Sequence, residues 1–320
     1  MSPEALSAKN TILSLQVMRG LAALAVVAFH TGLIMADPRY GALTMFARPT
    51  SLGWTGVNFF FVLSGFIIFL AHAKDIGRPA RIGTYLWRRF ARVYPTYWVF
   101  LTLLIIAALA GFGFVNFSTD WGNLASAYGL VRLIDAPTLP LKVAWTLIFE
   151  VFFYGMFALL ILNRRLGIAA FAGWIAVIVV ASAQGSLLMN WTSAWNVNFF
   201  FGALACWAYG RVDARWGGAL LAAGIALLVA LLMLNPAYAL IEEQQAHPVS
   251  LALLGLPFML ILLGAALWEQ HRRFVPPKLF LLLGEASYAI YLVHSAVISA
   301  ICLLTPGWRP ACCRSRRCSA

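Results

Sequence analysis

Long apolar stretches separated by short polar segments repeat along the whole chain. Crossing the hydrocarbon core of a bilayer as a helix takes about 20 mostly apolar residues. The candidate spans are 12–34, 54–72, 95–113, 143–162, 168–184, 194–209, 217–234, 249–268 and 280–304. The sixth of these stretches is short. The pattern predicts an all-α protein, a polytopic transmembrane helix bundle of about nine spans.

The charges between the spans alternate from one connection to the next. Segments 73–93, 163–167, 210–216 and 269–279 are basic, whereas the intervening connections are neutral, mixed or acidic. Basic loops stay in the cytoplasm under the positive-inside rule. The charge pattern therefore predicts a cytoplasmic N-terminus, with odd-numbered spans running outward.

Composition supports an integral membrane protein and excludes other classes. Hydrophobic residues make up 62% of the 320 residues, charged residues only 11%, and the net charge is +12. The basic loops account for that charge, so we expect no nucleic-acid partner. The five cysteines are odd in number and cluster late, which favours neither a disulfide framework nor a metal site. Residues 1–36 resemble a secretory signal, but Arg19 interrupts the apolar run, so we expect no cleavage.

Two ionisable residues lie inside the first span, where charge is costly and usually functional. Arg19 and His30 are eleven residues apart. Eleven residues correspond to about three full turns plus 20°, so both side chains project from one face, roughly 16 Å apart along the axis. The first helix therefore carries a cation near the cytoplasmic side and an imidazole near the outer side.

A basic layer is predicted on the cytoplasmic side. Arg88, Arg89 and Arg92 stand just before the third span in the segment RRFARVYP, which Pro95 closes. An arginine fork suits phosphate oxygens, so an anion with several phosphates is one interpretation. The alternative is that these arginines only orient the protein and bind lipid phosphates.

A second layer of polar groups is predicted nearer the outer face. His30, Asn58 and Glu150 fall at similar depth, and a neutral imidazole near an acid suits general-base catalysis. Each could instead be a hydrogen-bonded packing group. In the last span, GEASYAIYLVH, Tyr288 and Tyr291 share a face that His294 adjoins. There the alternative is a row of tyrosines that bond neighbouring helices.

Five segments together resemble the membrane acyltransferase-3 family, which includes bacterial exopolysaccharide-production acyltransferases. They are RGLAALAVVAFH, GVNFFFVLSGF, RRFARVYP, WTLIFEVFFY and GEASYAIYLVH. The resemblance implies transfer of an acyl group, usually acetyl, from cytoplasmic acyl-CoA to a hydroxyl of a cell-surface or exported carbohydrate. It also implies a multi-pass protein of the bacterial cytoplasmic membrane, in contact with membrane lipid and with a carbohydrate or lipid-linked saccharide acceptor.

The resemblance assigns roles to residues of this sequence. It implies that His30 is catalytic, that Arg19 supports the donor or the site, and that Glu150 belongs to a W-x-x-x-x-E segment starting at Trp145. The expected site comprises catalytic His30 and Glu150, donor-binding Arg19, Arg88, Arg89 and Arg92, and site-lining Asn58, Trp145, Tyr288, Tyr291 and His294, with no metal. An acyl-enzyme and direct transfer both stay open, as does the oligomeric state.

The C-terminus departs from the family pattern. Residues 1–304 form the expected transmembrane acyltransferase domain, whereas 305–320 are rich in arginine and cysteine and place their charge outside, against the rule. The family pattern suggests a tenth span here, so we expect a truncated or frameshifted end; a genuine basic tail is the alternative.

A different function is also compatible with the same residues. A proton-coupled transporter or flippase of a polysaccharide precursor would use Arg19, His30 and Glu150 as a proton path. A purely structural membrane subunit would not need ionisable groups aligned at two depths.

Overall fold

A computed structural model describes residues 12–40, 42–111, 117–133, 138–184, 191–234, 248–272 and 274–304. Regular structure in these ranges is helical throughout, which confirms the all-α prediction. The ten main helices are α1 Leu13–Ala36, α2 Gly56–His72, α3 Ile82–Leu109, α4 Trp121–Gly129, α5 Trp145–Leu162, α6 Arg164–Ala183, α7 Val197–Tyr209, α8 Gly217–Leu234, α9 Gly255–His271 and α10 Lys278–Leu304.

Every predicted span corresponds to one of these helices, and α4 is the additional one. Among the described residues, 8 helices are long and apolar enough to cross a membrane. The helix of the sixth predicted span, α7, does not reach that length: it has 13 residues and is extended by the 3-10 turn Ala194–Asn196. The sixth predicted span is therefore helical but falls short of bilayer length. The tail 305–320 lies outside the described residues.

The third span begins earlier than the hydropathy pattern predicts. Helix α3 starts at Ile82 rather than near residue 95, so Arg88 and Arg92 lie within the helix and Pro95 lies in its interior. The arginines lower the hydropathy of this segment, so the apolar pattern does not include it, yet arginine is a good helix former. Proline removes one intrahelical hydrogen bond, a loss that helices in membrane proteins tolerate. The basic segment is consequently a rigid part of α3 and not a flexible loop.

The connection between α3 and α5 contains α4, whose end lies beside the middle of α3. Tyr94, Tyr97 and Trp98 donate side-chain hydrogen bonds of 2.9, 2.7 and 2.9 Å to the carbonyls of residues 129, 127 and 128. The last carbonyls of a helix lack intrahelical partners, so these side chains satisfy them. Tyr97 lies about 18 Å before the end of α3, at about 1.5 Å per residue. The chain therefore turns back along α3, whereas the hydropathy pattern predicts only a connection between two spans here.

The start of α4 is fixed by an N-cap. The Asp120 carboxylate accepts the backbone N–H of Asn123 at 2.8 Å and also the Ser118 hydroxyl. These bonds favour the charged form and lower the pKa of Asp120. The Asn123 side chain links the chain before α4 to the chain after it: it donates to Ser118 O at 2.8 Å and accepts from Thr138 N at 2.7 Å.

The helices group into two compact units. The first comprises the described residues within 1–26, 52–73 and 194–288, and the second comprises those within 27–51, 74–193 and 289–320. In the first unit, α2 and α7 approach through two glycines. A Cβ on Gly65 would lie 2.1 Å from the carbonyl oxygen of Phe199, and one on Gly202 would lie 2.0 Å from that of Val62. Gly65 in the SGF segment is therefore explained by close helix packing.

The beginning of α1 is anchored in the same unit. The Glu269 carboxylate of α9 accepts the backbone N–H groups of Leu13 and Ser14 at 2.9 and 2.7 Å. This contact caps the N-terminus of α1 and places a negative charge where the helix dipole favours one. One turn later, a Cβ on Gly284 of α10 would lie only 2.2 Å from Gln16 O. The first turns of α1 are thus held by both α9 and α10.

Candidate functional site

Arg19 lies two turns into α1, as predicted, and bonds to α10. Its Nε donates to the Gly284 carbonyl at 2.9 Å, and its second terminal nitrogen donates to the same oxygen. The Ser287 hydroxyl donates to that carbonyl as well, at 2.8 Å. These contacts lie within the first unit, where the half-buried cation joins α1 to α10.

Asn58 is fully buried in the first unit and serves helix packing there. Its Nδ2 donates to Leu251 O at 3.1 Å and to Asn198 Oδ1 at 3.4 Å. Amide groups that bond across helices are a usual means of association in a bilayer. This network favours the packing interpretation of Asn58 over a site-lining one. Tyr288 is half-buried and belongs to the same unit.

His30 and His294 meet in the second unit. The Nε2 atom of His294 lies 3.1 Å from Nδ1 of His30, and the ring centroids are 4.8 Å apart at 61°. Nδ1 of His294 bonds the Tyr291 carbonyl at 2.8 Å, one turn earlier in α10. His294 is 4% exposed, whereas His30 is only half-buried. The structure thus pairs the predicted base with a residue predicted only to line the site.

Tyr291 connects this histidine pair to α5. Its hydroxyl lies 3.0 Å from the Thr146 hydroxyl, and both residues are buried in the second unit. Thr146 also donates to Val143 O at 2.9 Å. A threonine hydroxyl has one hydrogen, so the Tyr291 hydroxyl is the donor in the pair. This bond fixes α10 against the start of α5.

Glu150 and Tyr154 continue along the same face of α5. They follow Thr146 at intervals of four residues, which places the three side chains in one row. The Tyr154 hydroxyl donates to the Glu150 carboxylate. Trp145, next to Thr146, is half-buried and packs edge-on against Phe149 with the ring centroids 5.7 Å apart. The row carries a carboxylate between two hydroxyl-bearing side chains.

Arg89 meets this row at Tyr154. Its guanidinium carbon lies 5.7 Å from the centroid of the Tyr154 ring, within the range of a cation–π contact. Nε and Nη1 of Arg89 are buried and, in the part of the chain that the structure describes, have no hydrogen-bond partner. Arg92 interacts electrostatically with the Tyr154 hydroxyl, while Arg88 is exposed. Buried N–H groups of a cation are costly unless an anion satisfies them.

A series of polar residues therefore runs through the second unit from His30 to Arg89. Contacts join His30 through His294 and Tyr291 to Thr146, and Glu150 through Tyr154 to Arg89. Thr146 and Glu150 lie one helical turn apart on the same face of α5. We call Thr146, Glu150 and Tyr154 the polar row. The polar row extends about 12 Å along the axis of α5 from its first to its last member, at about 1.5 Å per residue. One end offers an imidazole that can take a proton, and the other offers a cation that can bind an anion.

Two members of the polar row were not predicted from the sequence. Thr146 and Tyr154 both stand in WTLIFEVFFY, four residues before and after Glu150. That helical spacing is the signal that could have identified them, because residues four apart share a face. Threonine and tyrosine are ordinarily uncharged at neutral pH, so the cost of charge in an apolar span does not single out either residue.

Comparison with known proteins identifies the family. The acyltransferase-3 family, described as an acyltransferase domain, matches residues 12–310. The exopolysaccharide production protein ExoZ of Rhizobium meliloti is 29% identical over 271 residues, which cover 78% of each chain. A protein named "Putative acetyltransferase ORF330" from Acidianus two-tailed virus is 25% identical over 87% of this chain and 80% of its own length. No solved structure matches the chain. The chain therefore belongs to the acyltransferase-3 family of membrane acyltransferases.

Proposed function

We propose that this acyltransferase moves an acetyl group from cytoplasmic acyl-CoA to a hydroxyl of a cell-surface or exported carbohydrate. The observation that carries the proposal is the series of polar residues in one unit that has the paired imidazole of His30 at one end and the partly unsatisfied cation of Arg89 at the other. The name of the relative ExoZ supports an exopolysaccharide acceptor. The basic loops support a cytoplasmic position for the arginine end of the series, in a bacterial inner membrane.

The donor end is assigned to Arg89, assisted by Arg88 and Arg92. Phosphate oxygens would supply the acceptors that the buried Nε and Nη1 atoms of Arg89 lack. The Tyr154 ring holds the guanidinium from below by its π-face. Arg92 is one turn away on α3, on the same face as Arg89, and exposed. Arg19 stays a predicted donor ligand, since its described bonds go to Gly284.

The transfer step is assigned to His30 as general base. His30 takes the proton of the acceptor hydroxyl while that oxygen bonds to the thioester carbonyl carbon. The bond from carbon to sulfur then breaks, and the proton passes from His30 to the departing sulfur to give free CoA and the carbohydrate ester. In the part of the chain that the structure describes, the free cysteines are Cys206 and Cys302, and neither belongs to the series from His30 to Arg89.

Glu150 is assigned to the electrostatics of the same step. Its carboxylate, held by the Tyr154 hydroxyl, lies one turn along α5 from the Thr146 that bonds Tyr291. We infer that this carboxylate acts on His30 across Thr146, Tyr291 and His294, because a negative charge favours the imidazolium that forms when a base takes a proton.

Transfer assays on purified protein in nanodiscs test the proposal. His30→Ala should abolish acyl transfer while leaving acyl-CoA binding intact, and His271→Ala, an exposed histidine at the end of α9, is the matched control. Arg89→Gln should weaken acyl-CoA binding, whereas Arg88→Gln on the exposed face should change it much less. Transfer at the wild-type rate by His30→Ala would disprove the assignment of the base.

The same preparation separates transfer from transport. Mass spectrometry of the acceptor identifies the acyl group by its added mass. Substrate-dependent proton flux without consumption of acyl-CoA would instead support a transporter that uses the same ionisable residues.

A further inference from the structure

We propose that His294 is the positioning residue that fixes the tautomer of His30 and so makes Nε2 of His30 the proton acceptor. This inference rests on the proposed function, because it concerns how the base of that reaction is prepared. It starts from the two hydrogen bonds of His294, which use both of its ring nitrogens.

The Tyr291 carbonyl determines where the hydrogen of His294 lies. A carbonyl oxygen only accepts, so the 2.8 Å bond requires a hydrogen on Nδ1 of His294. His294 is 4% exposed, and burial favours the neutral ring because a charged imidazole would lose its hydration. In a neutral imidazole with hydrogen on Nδ1, Nε2 carries the lone pair. His294 therefore presents an acceptor to His30.

That acceptor determines the tautomer of His30 in turn. Nδ1 of His30 lies 3.1 Å from Nε2 of His294, so Nδ1 of His30 must donate. The lone pair of His30 is then on Nε2, the nitrogen on the other side of the ring. His294 cannot replace His30 as the base, because both of its nitrogens are engaged and it is the more buried of the two.

The arrangement also supports the charged state that forms during transfer. When Nε2 of His30 takes the acceptor's proton, Nδ1–H keeps its bond to His294, and that bond becomes charge-assisted. The polarised bond continues through His294 to the Tyr291 carbonyl, while the Tyr291 hydroxyl holds the tyrosine against Thr146. His294 thus occupies the place of the orienting third group in a catalytic triad, with a neutral ring instead of a carboxylate.

Two substitutions at position 294 test the inference. In His294→Phe the ring shape stays and the acceptor is lost, so kcat should fall by about 100-fold with acyl-CoA binding unchanged. In His294→Gln the side-chain carbonyl can accept from Nδ1 of His30, so kcat should return to within about 10-fold of wild type. Ser295→Ala, at the neighbouring position of α10, is the control and should keep wild-type kcat.

A spectroscopic measurement distinguishes positioning from a general loss of structure. The chain has five histidines, so nitrogen-15 spectra of histidine-labelled protein can be assigned with single substitutions. Wild type and His294→Gln should show His30 with hydrogen on Nδ1 and none on Nε2, and His294→Phe should lose this preference.

Three results would overturn the inference: wild-type kcat in His294→Phe, no recovery in His294→Gln, or hydrogen on Nε2 of His30 in the wild type. The first of these together with an inactive His30→Ala would refute the role of His294 alone. An active His30→Ala would instead refute the proposed function.

Discussion

Tyr154 performs two separable tasks, and a pair of substitutions should distinguish them. Its hydroxyl bonds the Glu150 carboxylate, whereas its ring lies 5.7 Å below the Arg89 guanidinium. Tyr154→Phe removes only the hydroxyl, and Tyr154→Leu removes both the hydroxyl and the aromatic face. If Arg89 binds the donor, the first change should affect the transfer step and the second should also affect donor binding.

The structure sets the expected size of each effect. A hydrogen bond to a charged group contributes about 1.5–3 kcal/mol, so Tyr154→Phe should lower kcat by about 10- to 150-fold if Glu150 acts in the transition state. Cation–π contacts contribute about 0.5–2 kcal/mol, which corresponds to about 2- to 30-fold in affinity. The distance of 5.7 Å is near the outer limit of the contact, but two nitrogens of Arg89 are buried. We therefore expect about a 5-fold weaker acyl-CoA affinity in Tyr154→Leu.

Equilibrium binding of radiolabelled acyl-CoA and single-turnover transfer measure the two effects independently on the same nanodisc samples. Thermal unfolding of each variant monitors the loss of packing that accompanies the smaller leucine side chain. Equal losses of donor affinity in Tyr154→Phe and Tyr154→Leu would refute the reasoning, because the phenyl ring would then not be what holds Arg89.

Three further predictions concern the scaffold. Gly284→Ala should lower the free energy of unfolding by about 1–3 kcal/mol or prevent stable expression, because its Cβ would lie 2.2 Å from a backbone oxygen. Gly173→Ala is the control: it has open space around it and should be neutral or stabilising in the same thermal assay. Glu269→Gln should cost about 1–2 kcal/mol in thermal unfolding, since an NH2 group, which only donates, replaces one of the two carboxylate oxygens that accept the N–H groups at the start of α1, and the charge is lost. Glu285→Gln on the exposed face of α10 should have little effect, and equal losses would argue against the cap. The folded-state pKa of Asp120 is lowered, so its carboxylate should stabilise α4 fully at pH values above its usual pKa of 3.8, and this stabilisation should be lost as the pH falls through the folded-state pKa. Hydrogen exchange in α4 should show this pH dependence in wild type. It should not show it in Asp120→Asn, whose side chain still caps the helix.

Much of the fold could be predicted from hydropathy because each spanning helix depends mainly on its own residues. The start of α3 does not follow from hydropathy, because the residues that form it are not apolar. Its first turns are basic and precede a proline, so the hydropathy pattern began the span at residue 95 although the helix starts at Ile82. Helix α4 was missed because it has 9 residues and its end is fixed by side chains about 30 residues earlier. Contacts of that range leave no periodic signal in the sequence.

The candidate site could be predicted in part, and the division has a physical cause. His30 and Glu150 are recognisable because an ionisable group in an apolar span is costly. Arg89 is recognisable because it belongs to a basic segment beside a span, and an arginine fork suits phosphate oxygens. The pairing of His30 with His294 joins residues 264 positions apart, and no local pattern encodes that distance. The assigned roles of His30, Glu150, Arg88, Arg89 and Arg92 all stay predictions that the transfer and binding assays address.

The position of α4 also has a consequence for biosynthesis. A chain leaves the ribosome from its N-terminus, so Tyr94, Tyr97 and Trp98 enter the membrane before the carbonyls of α4 that they satisfy. In the structure these carbonyls accept from α3, so the end of α4 takes up this position only against an α3 that is already in place. Insertion of α3 is thus a prerequisite for α4, and a substitution at these three aromatic positions would appear first as a defect in assembly during translation, before any loss of catalytic rate.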